Sequence, residues 1–227
     1  PVVIMGPSAL RRKWPSDFDV FREHCMSNED KALVRVSSAE KPIDFLRLLD
    51  DPEDRRTSII FLTHGAMGRA MDDGWVKLAV IQRALYRRKD IDLLRRKLCE
   101  NMGNLIRMGW VKQGTEFWQK LLAKSPEQWL KVLQQHGIHV DREDDPVPKA
   151  ILEVLETVDT NSIFDTLNQL PFRDRGNFDS YLKAVSQELS RAIKDLWKRL
   201  LAKLNLQLPL LILDEAHHLK NAHTQVA

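Results

Sequence analysis

The chain has 227 residues, a length that suggests one large domain or two small ones at about 150 residues per domain. Hydrophobic residues make up 43% of it and charged residues 30%, which excludes a disordered or low-complexity chain. The net charge of +3 is too small to indicate a partner by itself. Since no run of about 18 apolar residues occurs, we expect no membrane span and no membrane partner.

Four short apolar runs predict the strands of a buried sheet. They are rich in Val, Ile and Leu without alternation, which is typical of strands covered on both faces in a parallel α/β sheet. The runs occupy residues 2–5, 32–36, 58–63 and 208–213. Helical segments separate the first three runs, which gives the strand–helix–strand order of βαβ units. Because the chain starts without methionine and both ends lie close to such runs, we expect it to be a piece of a longer protein.

The long middle segment shows helical spacing instead. Asp72-Asp73-Gly74 can cap a long helix that begins at about Trp75, Ser125 opens a capping box, and Gly137 supplies a stop. Asn177 starts the longest helix, which carries apolar residues at three- and four-residue steps. This single stripe consists of Leu182, Val185, Leu189, Ile193, Leu196, Leu200 and Leu204.

The strand pattern resumes only at residue 208, so the helical block interrupts the sheet. We therefore predict an α/β protein in which residues 1–71 and 208–227 form part of a parallel sheet. Residues 72–207 form a mainly α-helical insertion.

Two adjacent carboxylates end the last apolar run. A buried strand delivers Asp214 to the carboxyl edge of the sheet, where α/β folds bind ligands. Asp214 there can hold Mg²⁺ through water, and Glu215 can polarise an attacking water, as in the metal-binding half of an NTPase site. The alternative is that both acids cap the helix that follows, where negative charge is favourable.

Three segments carry a resemblance to a known family. Segment 214–221, with the sequence DEAHHLKN, resembles motif II of helicase superfamily two, and its HLKN tail resembles the Swi/Snf-type branch that includes the RapA-like ATPases. Segment 2–18 resembles motif Ia: a strand, a Pro-Ser turn and a helix carrying a tryptophan. Segment 58–66, with the sequence SIIFLTHGA, lies where that family has its next strand and a Thr-containing turn.

The resemblance implies a partial RecA-like sheet, the P-loop NTPase lobe of an ATP-dependent translocase on duplex DNA. ATP and Mg²⁺ are the implied cofactors, and the implied location is cytoplasmic, with the nucleoid in a bacterium. Asp214 would bind Mg·ATP through water, Glu215 would orient or activate the attacking water, and His217 would link hydrolysis to the rest of the machine.

The same resemblance implies nucleic-acid contacts at Pro7, Ser8 and Thr63, in the turns after the first and third strands. The chain departs from the family at His64, where we would expect a tyrosine. It also contains no G-x-x-x-x-G-K-[ST] loop, so the phosphate-cradling lysine is absent from these 227 residues. We therefore expect the parent protein to be a DNA-dependent ATPase and this chain alone to be inactive.

Other candidates lie in the helical block, each with an alternative. Arg83 and Arg87 share a helix face and could contact duplex DNA or form an ordinary solvated face. Four tryptophans could stack on bases or belong to the core: Trp75, Trp110, Trp118 and Trp129. His136 and His139 have ligand spacing, but no cysteine or carboxylate pattern completes a zinc site. Cys25 and Cys99 form no disulfide pattern and are expected to be buried.

The rival function belongs to another class. The insertion could be a non-catalytic helical module that binds a protein partner, with flanking strands that are incidental to it. The apolar stripe of the longest helix must bury itself either within the block or against such a partner.

Overall fold

The computed structural model describes most of the chain: residues 1–67, 73–86, 88–106, 108, 111, 113–138, 146–171 and 176–214. The chain divides into two compact units. The sheet unit comprises Pro1–Met71 with Asn205–Ala227, and the helical unit comprises Asp72–Leu204. Within the described ranges, no helix combines the length and the apolarity needed to cross a membrane.

The sheet unit is a mixed α/β structure with four parallel strands in the order β2-β3-β1-β4. Its elements in chain order are β1 (Val2–Gly6), a 3₁₀ helix (Ser8–Leu10), α1 (Lys13–Cys25), α2 (Asn28–Leu33), β2 (Val36–Ala39), α3 (Pro42–Leu49), β3 (Ile59–Thr63) and β4 (Leu210–Leu213). This arrangement confirms the predicted α/β class with a parallel sheet.

The core of the sheet unit lies around β1 and β3. Val3 and Ile60 are fully buried, and Phe18 of α1 packs edge-on against Phe61 of β3, with ring centroids 6.2 Å apart. The expectation that every strand is covered on both faces is wrong for β4, whose four side chains are 37–50% exposed. The reason is its position, because β4 is an edge strand that pairs only with β1 in the described sheet.

The strand predicted at 32–36 is also wrong. Its first two residues belong to α2, and β2 begins only at Val36. A local cap decides this, because the backbone N–H of Asp30 donates to Ser27 Oγ at 3.1 Å. Glu29 and Asp30 then place negative charge in the first turn, where the helix dipole favours it.

The helical unit follows the predicted helix signals with one exception. Its elements are α4 (Gly74–Leu85), α5 (Asp92–Ile106), α6 (Thr115–Ala123), a 3₁₀ helix (Pro126–Gln128), α7 (Trp129–Gln135), α8 (Lys149–Thr157), α9 (Asn161–Asn168) and α10 (Phe178–Lys203).

Asp73 caps α4 as predicted, since Val76 N–H donates to Asp73 Oδ1 at 3.0 Å. Ser125 makes no side-chain cap, and the chain turns first through the 3₁₀ helix. Gly137, with φ of +65°, ends α7, and Ile138 N–H closes that end on Leu133 O at 2.9 Å.

The apolar stripe of α10 is buried inside the helical unit. Its first six residues, from Leu182 to Leu200, are buried, and α10 packs on α9, α8 and α5. Trp75, Trp118 and Trp129 are also core residues with exposed fractions of 6%, 3% and 0%. The base-stacking interpretation is therefore wrong for these three tryptophans. Trp110 lies outside the described residues.

We expect the substitution Leu196→Ala to lower the free energy of unfolding by about 3 kcal/mol, because it removes a fully buried side chain from the α10 stripe and leaves a cavity. The matched control is Lys194→Ala on the exposed face of the same helix, which should change stability very little. Urea unfolding followed by circular dichroism measures both. Equal effects of the two substitutions would contradict the packing described here.

Candidate functional site

Three adjacent strands bring predicted site residues to one edge of the sheet. Thr63 is in register with Gly6, and the backbone N–H of His64 donates to Gly6 O at 2.9 Å. On the other side of β1, the N–H of Asp214 donates to Met5 O at 2.9 Å. Since all strands are parallel, Thr63, the turn after Gly6 and Asp214 share the carboxyl edge.

The turn after β1 is built by local chemistry. Pro7 has an extended backbone conformation (φ −58°, ψ 147°), and the 3₁₀ helix starts directly after it. Leu10 N–H donates to Pro7 O at 3.0 Å and Arg11 N–H donates to Ser8 O at 3.4 Å. The turn leaves Ser8 exposed at the edge of the sheet.

An open cavity of about 270 Å³ lies in front of this turn. Its described lining contains no acidic side chain and consists of Ser8, Ala9, Arg11, Arg12 and Thr63. The two arginines therefore give the cavity a positive charge, and Ser8 offers an exposed hydroxyl, whereas Thr63 is buried.

The two arginines of this cavity have different surroundings. Arg11 Nη1 pairs with Glu40 Oε1 at 2.8 Å, which holds that guanidinium near the end of β2. Arg12 is exposed, and among the described residues no ion pair occupies its guanidinium. Sequence reasoning did not single out either arginine. The signal available was their position directly after the Pro-Ser turn.

Asp214 supplies a carboxylate at the carboxyl edge of the sheet. Asp214 is half-buried at the end of β4, and one carboxylate suffices for a cation that keeps several of its waters. The described residues contain no group of three His, Cys, Asp or Glu side chains able to hold a metal. The sequence contains no lysine-bearing glycine loop of the kind that holds a nucleotide triphosphate. Glu215 and His217 lie outside the described residues.

His64, where the chain departs from the family pattern, follows β3 at the same edge. Its ring Nε2 is buried and has no hydrogen-bond partner within the described structure. The backbone N–H of His64 donates to Gly6 O.

Arg83, the other predicted nucleic-acid contact, belongs to the helical unit and has a structural partner. Its Nη2 donates to Glu156 O at 2.8 Å, and Lys203 Nζ donates to Thr157 O at 3.2 Å. Both acceptors are carbonyls of the last turn of α8, where a positive charge complements the helix dipole. These basic side chains therefore close a helix end. Arg87 lies outside the described residues.

The histidine pair shows no metal chemistry in its described part. The ring of His136 packs edge-on against Phe117, with centroids 5.1 Å apart. His139 lies outside the described residues.

Comparison with known proteins gives no relative: no family model, no curated protein and no solved structure matches this chain. The function must therefore be inferred from the residues and their geometry.

The two cysteines differ in burial, which corrects the expectation that both are buried. Cys25 is exposed at the end of α1, whereas Cys99 is buried in α5. Burial raises the pKa of the Cys99 thiol from 9.0 to about 11. Because the pKa is raised, burial of the protonated Cys99 thiol stabilises the folded chain fully below about pH 9. This stabilisation is lost as the pH rises through about 11.

We expect iodoacetamide at about pH 8 to modify Cys25 quickly and Cys99 only after unfolding, because thiolates are the reactive form and Cys99 stays a buried thiol. Mass spectrometry of the native and the urea-treated chain counts the modified sites. Equal labelling rates of the two thiols in the native chain would contradict the packing of α5.

Proposed function

We propose that the sheet unit is part of a RecA-like lobe of a DNA translocase and that its carboxyl edge binds the phosphate backbone of duplex DNA. The observation that carries this proposal is the meeting of Ser8, Thr63 and Asp214 at one sheet edge, beside a cavity lined by two arginines. The parent would use ATP and Mg²⁺ and work in the cytoplasm, at the nucleoid in a bacterium.

The cavity has the chemistry that phosphate oxygens require. Phosphate contacts in protein–DNA complexes come mainly from Arg and Lys, from Ser and Thr hydroxyls and from backbone N–H groups. Arg12 supplies a guanidinium without an acidic partner in the described structure, and Ser8 supplies an exposed hydroxyl. Arg11 is oriented by Glu40, so its charge is partly neutralised and its main contribution is to position the turn.

The ATPase half of the proposal rests on Asp214. Bound magnesium would neutralise charge on phosphate oxygens, and Asp214 would hold its hydration shell. Glu215 would then orient the attacking water, and His217 would couple the site to the rest of the machine. The phosphate cradle must come from residues outside this sequence, because no such loop occurs in it.

Two observations support placing the three resembling segments in one RecA-like sheet. The strand that ends directly before the motif II segment, β4, pairs with β1, the strand of the motif Ia segment. Thr63 ends β3, the neighbour of β1 on its other side. Ser8, Thr63 and Asp214, one described residue from each resembling segment, thus lie at the same edge.

The rival function, a helical protein-interaction module, is less well supported. Its strongest sequence argument was the apolar stripe of α10, and that stripe is buried against α9, α8 and α5. The described part of α10 therefore has no apolar stripe left for a partner.

We expect the substitution Arg12→Gln to weaken duplex DNA binding equally for different sequences, because the contact is to phosphate. It should also lower the slope of log K against log salt by about one. Fluorescence anisotropy over a salt series measures both quantities. The matched control is Arg56→Gln, an exposed arginine before β3 at the opposite edge of the sheet. An unchanged salt slope for Arg12→Gln, or an equal change in the control, would refute the proposed interface.

We expect the 227-residue chain to show no ATP turnover, with or without DNA, because its sequence lacks the phosphate loop. A phosphate-release assay measures this. Turnover that disappears in Glu215→Gln would show that this expectation is wrong.

In a longer protein that contains the loop, DNA-stimulated turnover should be lost in Asp214→Ala. Full activity of that variant would contradict the ATPase half of the proposal.

A further inference from the structure

The helical unit contains a second positively charged cavity. It lies between the end of α4 and the start of α9, has a volume of about 340 Å³ and is open to solvent. Its lining consists of Arg83, Ala84, Tyr86, Arg88, Val158 and Thr160. No acidic side chain belongs to this described lining, so two guanidinium groups set its charge.

Both guanidinium groups are held in place by the surrounding structure. Arg83 donates to Glu156 O at 2.8 Å, and its guanidinium lies 5.4 Å from the ring centroid of Tyr86. Arg88 donates from Nη2 to Asn161 Oδ1, and its guanidinium lies 4.4 Å from the ring centroid of Phe164.

A guanidinium has five N–H donors, so one hydrogen bond apiece leaves others for a ligand. Because the side chains are already ordered, ligand binding would lose little rotamer entropy.

The start of α9 adds favourable electrostatics to the same cavity. Thr160 precedes the helix, its hydroxyl makes no cap, and the first turn of α9 carries no acidic residue. Asp159 is a nearby negative charge, since its Oδ1 accepts from Asn161 N–H at 2.9 Å. Glu156 lies in the adjoining cavity with Arg83 and Tyr86. The two guanidinium groups and the positive end of the helix dipole favour an anion against these two acids.

We propose that this cavity binds a phosphoryl group, with Arg83 and Arg88 as its cationic partners and Thr160 as a hydroxyl partner. Its volume lies in the range of about 300–1,000 Å³ typical of small-molecule sites. The phosphoryl group has two candidate sources, the backbone of a nucleic acid and a free phosphorylated small molecule. The site is separate from the carboxyl edge of the sheet and does not depend on the function proposed for that edge.

The test is titration of the full chain with inorganic pyrophosphate, followed by isothermal calorimetry, and with a short DNA duplex, followed by anisotropy. We expect Arg88→Gln to weaken pyrophosphate binding about tenfold, the loss of one charge-assisted hydrogen bond. The matched control is Arg191→Gln, an exposed arginine of the same unit that pairs with Glu188 on its own helix. This control should bind like the unaltered chain.

Arg88 also packs on Phe164, so a second variant separates binding from folding. Thr160→Val is nearly isosteric, removes only the hydroxyl partner, and should weaken pyrophosphate binding while leaving the circular dichroism spectrum unchanged. Arg12→Gln, titrated in parallel, reports on the phosphate site proposed at the sheet edge. Pyrophosphate binding that is lost in Arg12→Gln and unchanged in Arg88→Gln overturns the present proposal and leaves the sheet-edge proposal standing, so the two failures are distinguishable.

The two arms identify the source of the phosphoryl group. Weaker duplex binding in Arg88→Gln, beyond that of Arg191→Gln, supports the site and assigns it to nucleic acid. Weaker pyrophosphate binding with unchanged duplex binding supports the site and assigns it to a small ligand. The proposal is overturned if pyrophosphate shows no saturable binding, or if Arg88→Gln and Arg191→Gln bind both probes equally.

Discussion

The site depends on the parallel pairing of β1 with its two neighbours. This pairing gathers residues that are far apart in sequence, because parallel strands end at the same edge of a sheet. The hydrogen bonds from His64 and Asp214 to the end of β1 fix the two registers. A register shift of one residue would turn every side chain of β4 to the opposite face of the sheet. It would also move Asp214 out of line with the ends of β1 and β3. Register thus determines whether the candidate site exists.

Helix ends provide the corresponding constraint in the helical unit. The last turn of α8 leaves carbonyl groups without helical partners, and Arg83 and Lys203 donate to two of them. Lys97 does the same for the carbonyl of Leu170, just after α9. A cluster of basic residues in the sequence can therefore serve either of two roles, and residue spacing does not distinguish them. Some cations stabilise helix ends, and some of their remaining donors line the cavity between α4 and α9.

Much of the fold could be predicted from local pattern, and the failures have physical causes. The strands β1, β3 and β4 are continuous aliphatic runs, and α10 has a regular stripe, so their periods were visible in sequence. The strand at 32–36 failed because the Ser27 cap extends a helix into the apolar run, and β2 uses two serines instead. Asp214 was predicted at the carboxyl edge of the sheet and lies there. Pro7 and Ser8 follow β1 as predicted, whereas Thr63 is the last residue of β3 and does not lie in the turn after it. Arg11 and Arg12 follow the Pro-Ser turn in sequence, but that position alone does not predict their shared cavity, which exists only once β3 lies beside β1.

The parts of the sheet edge differ in how firmly they are held. Ser8 follows β1 and Thr63 ends β3; both strands have strand partners on both sides, and Thr63 is only 3% exposed. Asp214 follows an edge strand of four exposed aliphatic residues, held in the described sheet by one ladder alone. Edge strands with few buried contacts open at a lower free-energy cost than central ones. A phosphate bound by Ser8 and Arg12 would therefore meet a preformed surface, whereas a cation bound by Asp214 would also have to stabilise β4. The proposed nucleic-acid binding would consequently require less ordering of this chain than the proposed magnesium binding, and we expect it to persist under conditions that release β4 from the sheet.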